Sequence, residues 1–314
     1  MSSFTAVLPI LLIAGLGYLS ARKALISEQE TAAVTKFAFT FAIPVLLFSS
    51  TARSELPGTI EWAFLLSFYG PVVLVFLAAI LAGRSLFKPD LKTQSVFGVT
   101  ATYSNTTILG IPICLQLLGE ESLVPLLLIL YVQNIFIFTL GVLAAERESL
   151  TLAGFFRYLA NASEQFIKSP ILLSVALGLL FNLLNIRLWP VLDEALLLFS
   201  KAAIPVALFV MGASLSQFRL SSGLAGIWIA VLLKNLVLPA LVYLAAFHLF
   251  KVDFLWAATA TLAAAMPIGI SAYVFSQKYN VWTQQAASCI FVSTLLSLVT
   301  LSGLAVLLKL HPTT

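Results

Sequence analysis

The sequence predicts an all-α polytopic membrane protein, with ten transmembrane helices arranged as two five-helix halves of opposite orientation. Three observations predict it. Hydrophobic residues make up 61% of the 314, charged residues only 10%, and the mean hydropathy is +1.05. So little charge does not clothe a soluble domain of this size. Apolar runs of roughly 18 residues or more, enough to cross ~30 Å of hydrocarbon as helix, recur from end to end. Finally, the word AIPVLLF at 42–48 returns as AIPVALF at 203–209, 161 positions later, with six of seven residues unchanged.

In order, the spans are 4–20, 34–51, 62–83, 95–118, 122–144, 167–185, 191–214, 223–250, 254–276 and 284–309. The first lacks a basic n-region and carries its basic pair, Arg22 and Lys23, behind it. It therefore reads as a retained span entered from outside, not as a secretion signal. One set of loops and helix ends holds Arg22, Lys23, Lys36, Arg84, Lys88, Lys92, Arg147, Arg157, Lys168, Arg219 and Lys278. The opposite set holds only Arg53, Arg187, Lys251 and Lys309. The positive-inside rule places the larger set in the cytoplasm and both termini on the extracytoplasmic side of a plasma (inner) membrane. Lys201 and Lys234 belong to neither set. The net charge of +4 comes from these loop clusters, and without a soluble basic surface no nucleic-acid partner is expected. Cys114 and Cys289 both lie inside apolar runs, which argues against a disulfide framework or a cysteine zinc site; no metal or other cofactor is expected.

The repeat rests on its offset. PILL at 9–12 recurs at 170–173, again 161 positions on, and a proline stands 35 residues further along in both copies, at Pro44 and Pro205. Span 1 thus corresponds to span 6 and span 2 to span 7. An odd number of crossings per half inverts the second copy. The halves are 1–145 and 167–314, joined by a short cytoplasmic linker at 146–166. Inverted repeats are typical of secondary transporters, with a midplane site between two units. A duplicated membrane scaffold or sensor without transport is the alternative.

Such a site is often formed by interrupted helices. Span 4 contains YSNTTILGIPI at 103–113, where Asn105 and Thr106 precede Gly110, Ile111 and Pro112. Span 9 contains AMPIGISAY at 265–273, with Met266, Pro267, Gly269 and Ser271. Pro112 and Pro267 stand 155 apart, which a net six-residue deletion reconciles with 161. Unwound backbone at membrane depth is costly unless buried in protein or lining a wet cavity. Two such breaks suggest a crossover of half-helices whose positive N-terminal ends favour an anion; two ordinary proline kinks are the plainer reading. Lys234, mid-span and five residues before Pro239, either meets that anion or bonds carbonyls as a structural lysine. Gln133 and Asn134 in span 5 line the site or glue helices together. No Asp or Glu sits at mid-depth, which argues against proton coupling through a buried carboxylate. Sodium held by backbone carbonyls and by Asn105, Thr106 or Gln133 stays open, so the coupling ion, Na+ or H+, is undetermined. His248 and His311 are the only histidines and neither HExxH nor GxSxG occurs, so no enzyme is expected.

At these residues the chain resembles the auxin efflux carrier family, which includes the plant PIN-type carriers. The family's fourth-span pattern N-T-x-x-x-G-I-P is met by Asn105, Thr106, Gly110, Ile111 and Pro112. Its ninth-span pattern is met by Pro267, Gly269, Ile270, Tyr273, Val274 and Phe275, followed by Tyr279 and Asn280. Lys234 and Pro239 look like the basic residue and proline of its eighth span. The resemblance implies a ten-helix carrier of organic anions working by elevator-type alternating access, often as a homodimer. Spans 1, 2, 6 and 7 would form a scaffold; spans 3–5 and 8–10 would form a moving transport domain. Asn105 would contact substrate, and Pro112 and Pro267 would mark the crossover. Ala272 stands where the PIN pattern has a second proline, implying a less sharp second break. The short central loop resembles the bacterial branch, linked to malate, malonate and related carboxylates. A sodium-coupled symporter of bile-acid type, of broadly similar fold, is the rival.

Overall fold

The computed structural model describes residues 3–53, 62–87, 90–146, 169–186, 188–216 and 223–309. The expected linker, apart from its first residue, lies outside them, as do Lys88, Arg147, Arg157, Lys168, Arg187, Arg219 and His311. The described residues form twelve helical segments and no strand. These are α1 (Ser3–Arg22), α2 (Glu28–Arg53), α3 (Trp62–Leu86), α4 (Leu91–Thr100), α5 (Thr106–Leu118) and α6 (Glu120–Ala145). The remainder are α7 (Pro170–Leu183), α8 (Pro190–Leu215), α9 (Leu224–Leu249), α10 (Phe254–Ala265), α11 (Ile270–Tyr279) and α12 (Thr283–Leu307). Six of them, α2, α3, α6, α8, α9 and α12, are long and apolar enough to cross a membrane; α5, α10 and much of α7 are shorter apolar helices.

Helices start where polar caps can reach water. Ser27 and Glu30 form a reciprocal capping box, with 2.8 Å from the Ser27 amide to Glu30 Oε2 and 3.2 Å from the Glu30 amide to Ser27 Oγ. It starts α2 at Glu28, ahead of the expected residue 34, because a capped polar turn precedes the apolar one. Asp90 and Asp253 cap α4 and α10 by accepting the amides of Lys92 and Leu255. Along α3 one face is closed off, with Phe64, Phe68 and Val72 fully buried. The other presents Leu74, Leu77 and Leu81 more than half exposed. A helix apolar on both faces is at home only between protein and lipid.

Three prolines reshape the helix just before them. Wide π turns occupy Ala38–Ala42 ahead of Pro44, Thr106–Gly110 ahead of Pro112, and Leu233–Val237 ahead of Pro239. Proline offers no N–H to the carbonyl four residues back and its ring crowds that carbonyl, so one residue is looped out. Before Pro205 the interruption is instead a turn at Lys201 and Ala202, with Lys201 exposed. The two prolines of the repeated word differ in environment: Pro44 is buried and Pro205 exposed.

Small residues let α1 and α8 touch backbone to backbone. A Cβ on Gly17 would collide with the Phe209 carbonyl and lie 3.0 Å from Ala213 N. Between α7 and α2, a Cβ on Gly178 would lie 2.9 Å from Phe48 O and 3.2 Å from Ala52 N. Gly178, Phe209 and Ala213 each stand 161 positions after Gly17, Phe48 and Ala52. The same contact is therefore made twice, with the partners exchanged. Arg53 at the end of α2 pairs with Asp193 in the first turn of α8.

The interruptions between α4 and α5 and between α10 and α11 meet each other. Asn105 N donates to Pro267 O at 2.8 Å, and Gly269 N donates to Tyr103 O at 3.1 Å, around an isolated antiparallel bridge of Ser104 with Ile268. A local two-fold axis relates the two bonds and matches Ser104 to Ile268, an offset of 164. Pro267 lies in its break, whereas Pro112, expected at the matching position, lies inside α5. The first break needs no proline because its polar run finds other bonds: Thr102 Oγ1 turns back to Gly98 O at 2.8 Å. At the second break Met266 and Gly269 both leave the helical region, with ψ of 146° and 151°.

Candidate functional site

The junction of the two breaks is held by side chains from both neighbouring helices. Gln133 on α6 donates from Nε2 to Ser104 O at 2.9 Å and to Thr106 Oγ1 at 3.3 Å. Ser293 on α12 does the matching work at the other break, its Oγ accepting Ile268 N at 3.0 Å. Asn235 on α9 donates to Ser293 O at 2.9 Å, and Tyr103 gives its hydroxyl proton to Asn134 Oδ1. The Tyr103 ring continues into a stack with Phe138 and then Phe275, which ties α6 to α11.

Both downstream half-helices begin at this junction, but they are capped differently. Asn105 accepts the Ile108 amide on its side-chain oxygen and so closes the start of α5. Gly269, the residue before α11, has no side chain to do this, and no side-chain cap is made there. The uncapped start of α11 faces a cavity of about 250 Å³, lined by Tyr103, Ser104, Asn105, Thr106, Gly269, Ile270 and Ser271. Thr35 and Phe39 of α2 close its far wall. A narrower apolar extension runs on between Val210 and Met211 of α8 and Ile290 of α12. No lysine, arginine or histidine lines either part. Ser104 Oγ and Gln133 Oε1 are buried and make no hydrogen bond within the protein.

Of the residues expected at the site, Asn105, Thr106, Gly269 and Ser271 line the cavity together. Gly110, Ile111 and Pro112 are buried in α5 behind it, and Gln133 and Asn134 reach it only through the junction. Met266 and Pro267 contribute backbone carbonyls. Lys234 is fully buried on α9, its Nζ donating to Ala264 O at 2.5 Å and to Met266 O at 2.7 Å. Of its two sequence readings, the carbonyl-bonded one matches these contacts. Tyr103 and Ser104 sat inside the polar word at 103–113 and could have been named from it. Thr35, Phe39, Met211 and Ser214 carried no signal, being ordinary helix residues until α2 and α8 are placed against the junction.

A family model described as membrane transport protein matches residues 2–305. The chain belongs to the membrane transport protein family. A Rhizobium meliloti protein named "Putative malonate transporter" is 29% identical over 310 residues, covering 96% of this chain and 95% of its own. The Arabidopsis thaliana protein named auxin efflux carrier component 8 is 26% identical, with 94% of each chain covered. An Escherichia coli K12 protein named uncharacterized transporter YfdV is 25% identical, with 92% of each covered. The resemblance to the auxin efflux carriers read from 105–112 and 267–280 thus extends along this family member from end to end. Like its relatives it is a transporter and not an enzyme, and it sits in a membrane.

Proposed function

We propose that this protein is a secondary transporter of a small organic anion, built as a ten-span inverted repeat and working by elevator-type alternating access. The observation that carries the anion reading is the uncapped N-terminus of α11 facing the cavity. Unsatisfied amides and the helix dipole favour negative charge there, and no cationic side chain competes for it. The orphaned Ser104 hydroxyl, with Asn105, Thr106 and Ser271, offers donors to the carboxylate. A cavity of about 250 Å³ falls below the ~300–1,000 Å³ of drug-sized sites and suits a ligand of a few carbons. The names of the Rhizobium and Arabidopsis relatives, "Putative malonate transporter" and auxin efflux carrier component 8, agree with a carboxylate.

Two features support the repeat: the exchanged contacts of Gly17 with Phe209 and Gly178 with Phe48, and the two-fold pair of bonds at the junction. On this reading α1, α2, α7 and α8 form the scaffold and the other helices the moving domain, with the cavity on the boundary between them. The positive-inside count supports both termini lying outside the plasma membrane. Proteoliposome flux with a panel of mono- and dicarboxylates tests the proposal. Saturable carboxylate flux is expected; movement of cations alone, with no carboxylate flux, overturns it.

A further inference from the structure

Lys234 is the only fully buried charged residue among the described residues, and no Asp or Glu is buried with it. Its two acceptors, Ala264 O and Met266 O, belong to the last turn and the exit of α10. Carbonyls at a helix C-terminus lack amide partners and carry the negative end of the dipole. In inverted-repeat transporters, such half-helix carboxyl ends are where a coupling cation is coordinated. Here two oxygens converge on one point, and the point is filled by nitrogen. The fit is built in from several sides. The π turn Leu233–Val237, set by Pro239, carries Lys234, and the adjacent Asn235 is bonded to Ser293 O on α12. The matching end of α4 has no such cation, because α3 carries no charged residue between Trp62 and Gly83.

We propose that Lys234 is a resident counter-cation, whose ammonium takes the place of an exchangeable coupling ion, so that the transport cycle needs no sodium. This rests on the transporter reading for its consequence, but its test does not. The experiment is the thermal stability of the full-length purified protein in detergent, with sodium, potassium or choline chloride at equal ionic strength, with and without added methylammonium. Wild type is expected to melt at the same temperature in all of them. Lys234→Ala should melt lower, and sodium or methylammonium should restore at least about half of the loss by binding the vacated oxygens, whereas choline should not. A lysine that merely packs would give no such recovery. Lys234→Met, similar in length and apolar, serves if the alanine variant does not fold; it should be destabilised, and rescued less because its side chain blocks the site. Wild type stabilised by sodium alone overturns the proposal, as does Lys234→Met melting like wild type, or the absence of any cation rescue in Lys234→Ala. In proteoliposomes, carboxylate flux should be the same with and without a sodium gradient. Absence of all carboxylate flux would count against the transporter reading, while the melting data decide the role of Lys234 independently.

Discussion

Asn105 does two things at once: its amide bonds Pro267 across the junction, and its side-chain oxygen caps α5. Asn105→Ala keeps the first and loses the second, so about 1 kcal/mol of stability should be lost. Carboxylate affinity should fall by about ten-fold, the scale of one hydrogen bond to a charged group. Carboxylate-dependent melting of the variant separates the two losses. The glycines of α1 allow a controlled comparison on one helix. A methyl at Gly17 would strike the backbone of α8, whereas nothing lies within 4 Å of a Cβ on Gly15. Gly17→Ala should destabilise by about 1–3 kcal/mol through overpacking. Gly15→Ala should be neutral, or stabilising by up to ~1 kcal/mol through helix propensity. Thermal melts of the two variants would decide. Asn105 was legible in its polar word, and Gly17 differs from Gly15 in recurring 161 positions on, as Gly178 where Gly15 meets Ala176, but the close contact behind that recurrence shows only once α8 is placed.

At the scale of the element, proline position was legible and its consequence was not. Pro44, Pro112 and Pro239 each widen the preceding turn instead of ending the helix, while the break in the fourth span falls upstream of Pro112, in a polar run. The chain leaves the helix where its bonds go elsewhere: Ser104 O to Gln133 on α6, and Tyr103 O and Asn105 N to the opposite break. Those partners are remote in sequence, so periodicity alone pointed to the nearest proline. Pro239→Ala tests the element directly. With an amide restored, α9 can close a regular turn, rotating Lys234 and Asn235 by about 100°, one residue's worth of helix. The variant should melt several degrees lower. Pro71→Ala in α3, where the proline interrupts no regular helical turn, should melt within about a degree or two of wild type, since surrounding structure there has little to rearrange. Melting curves of the two purified variants make the comparison.

At the scale of the molecule, the 161-residue offset pairs words of the sequence, but a repeated word does not say which helices touch. That α1 packs on α8 and α7 on α2 follows only from the exchanged glycine contacts. The far wall of the cavity was hidden for the same reason, since Thr35 and Phe39 face the junction only once α2 is placed. Both native thiols are buried, so wild type should resist a membrane-impermeant maleimide, leaving a clean background. Thr35→Cys should then label from the side bearing Arg22 and Lys23, and a transported carboxylate should slow that labelling. Equal labelling from both sides, or none, would contradict a cavity closed by α2 at one end. The burial of Lys234 also has an electrical meaning. If its ammonium travels with a moving domain, the empty carrier shuttles one positive charge, a carrier loaded with a monoanion shuttles none, and one loaded with a dianion shuttles one negative charge. Membrane voltage acts on each unit of charge that crosses it with about 2.3 kcal/mol per 100 mV. The valence of the cargo would then decide whether voltage drives the loaded crossing or the empty return.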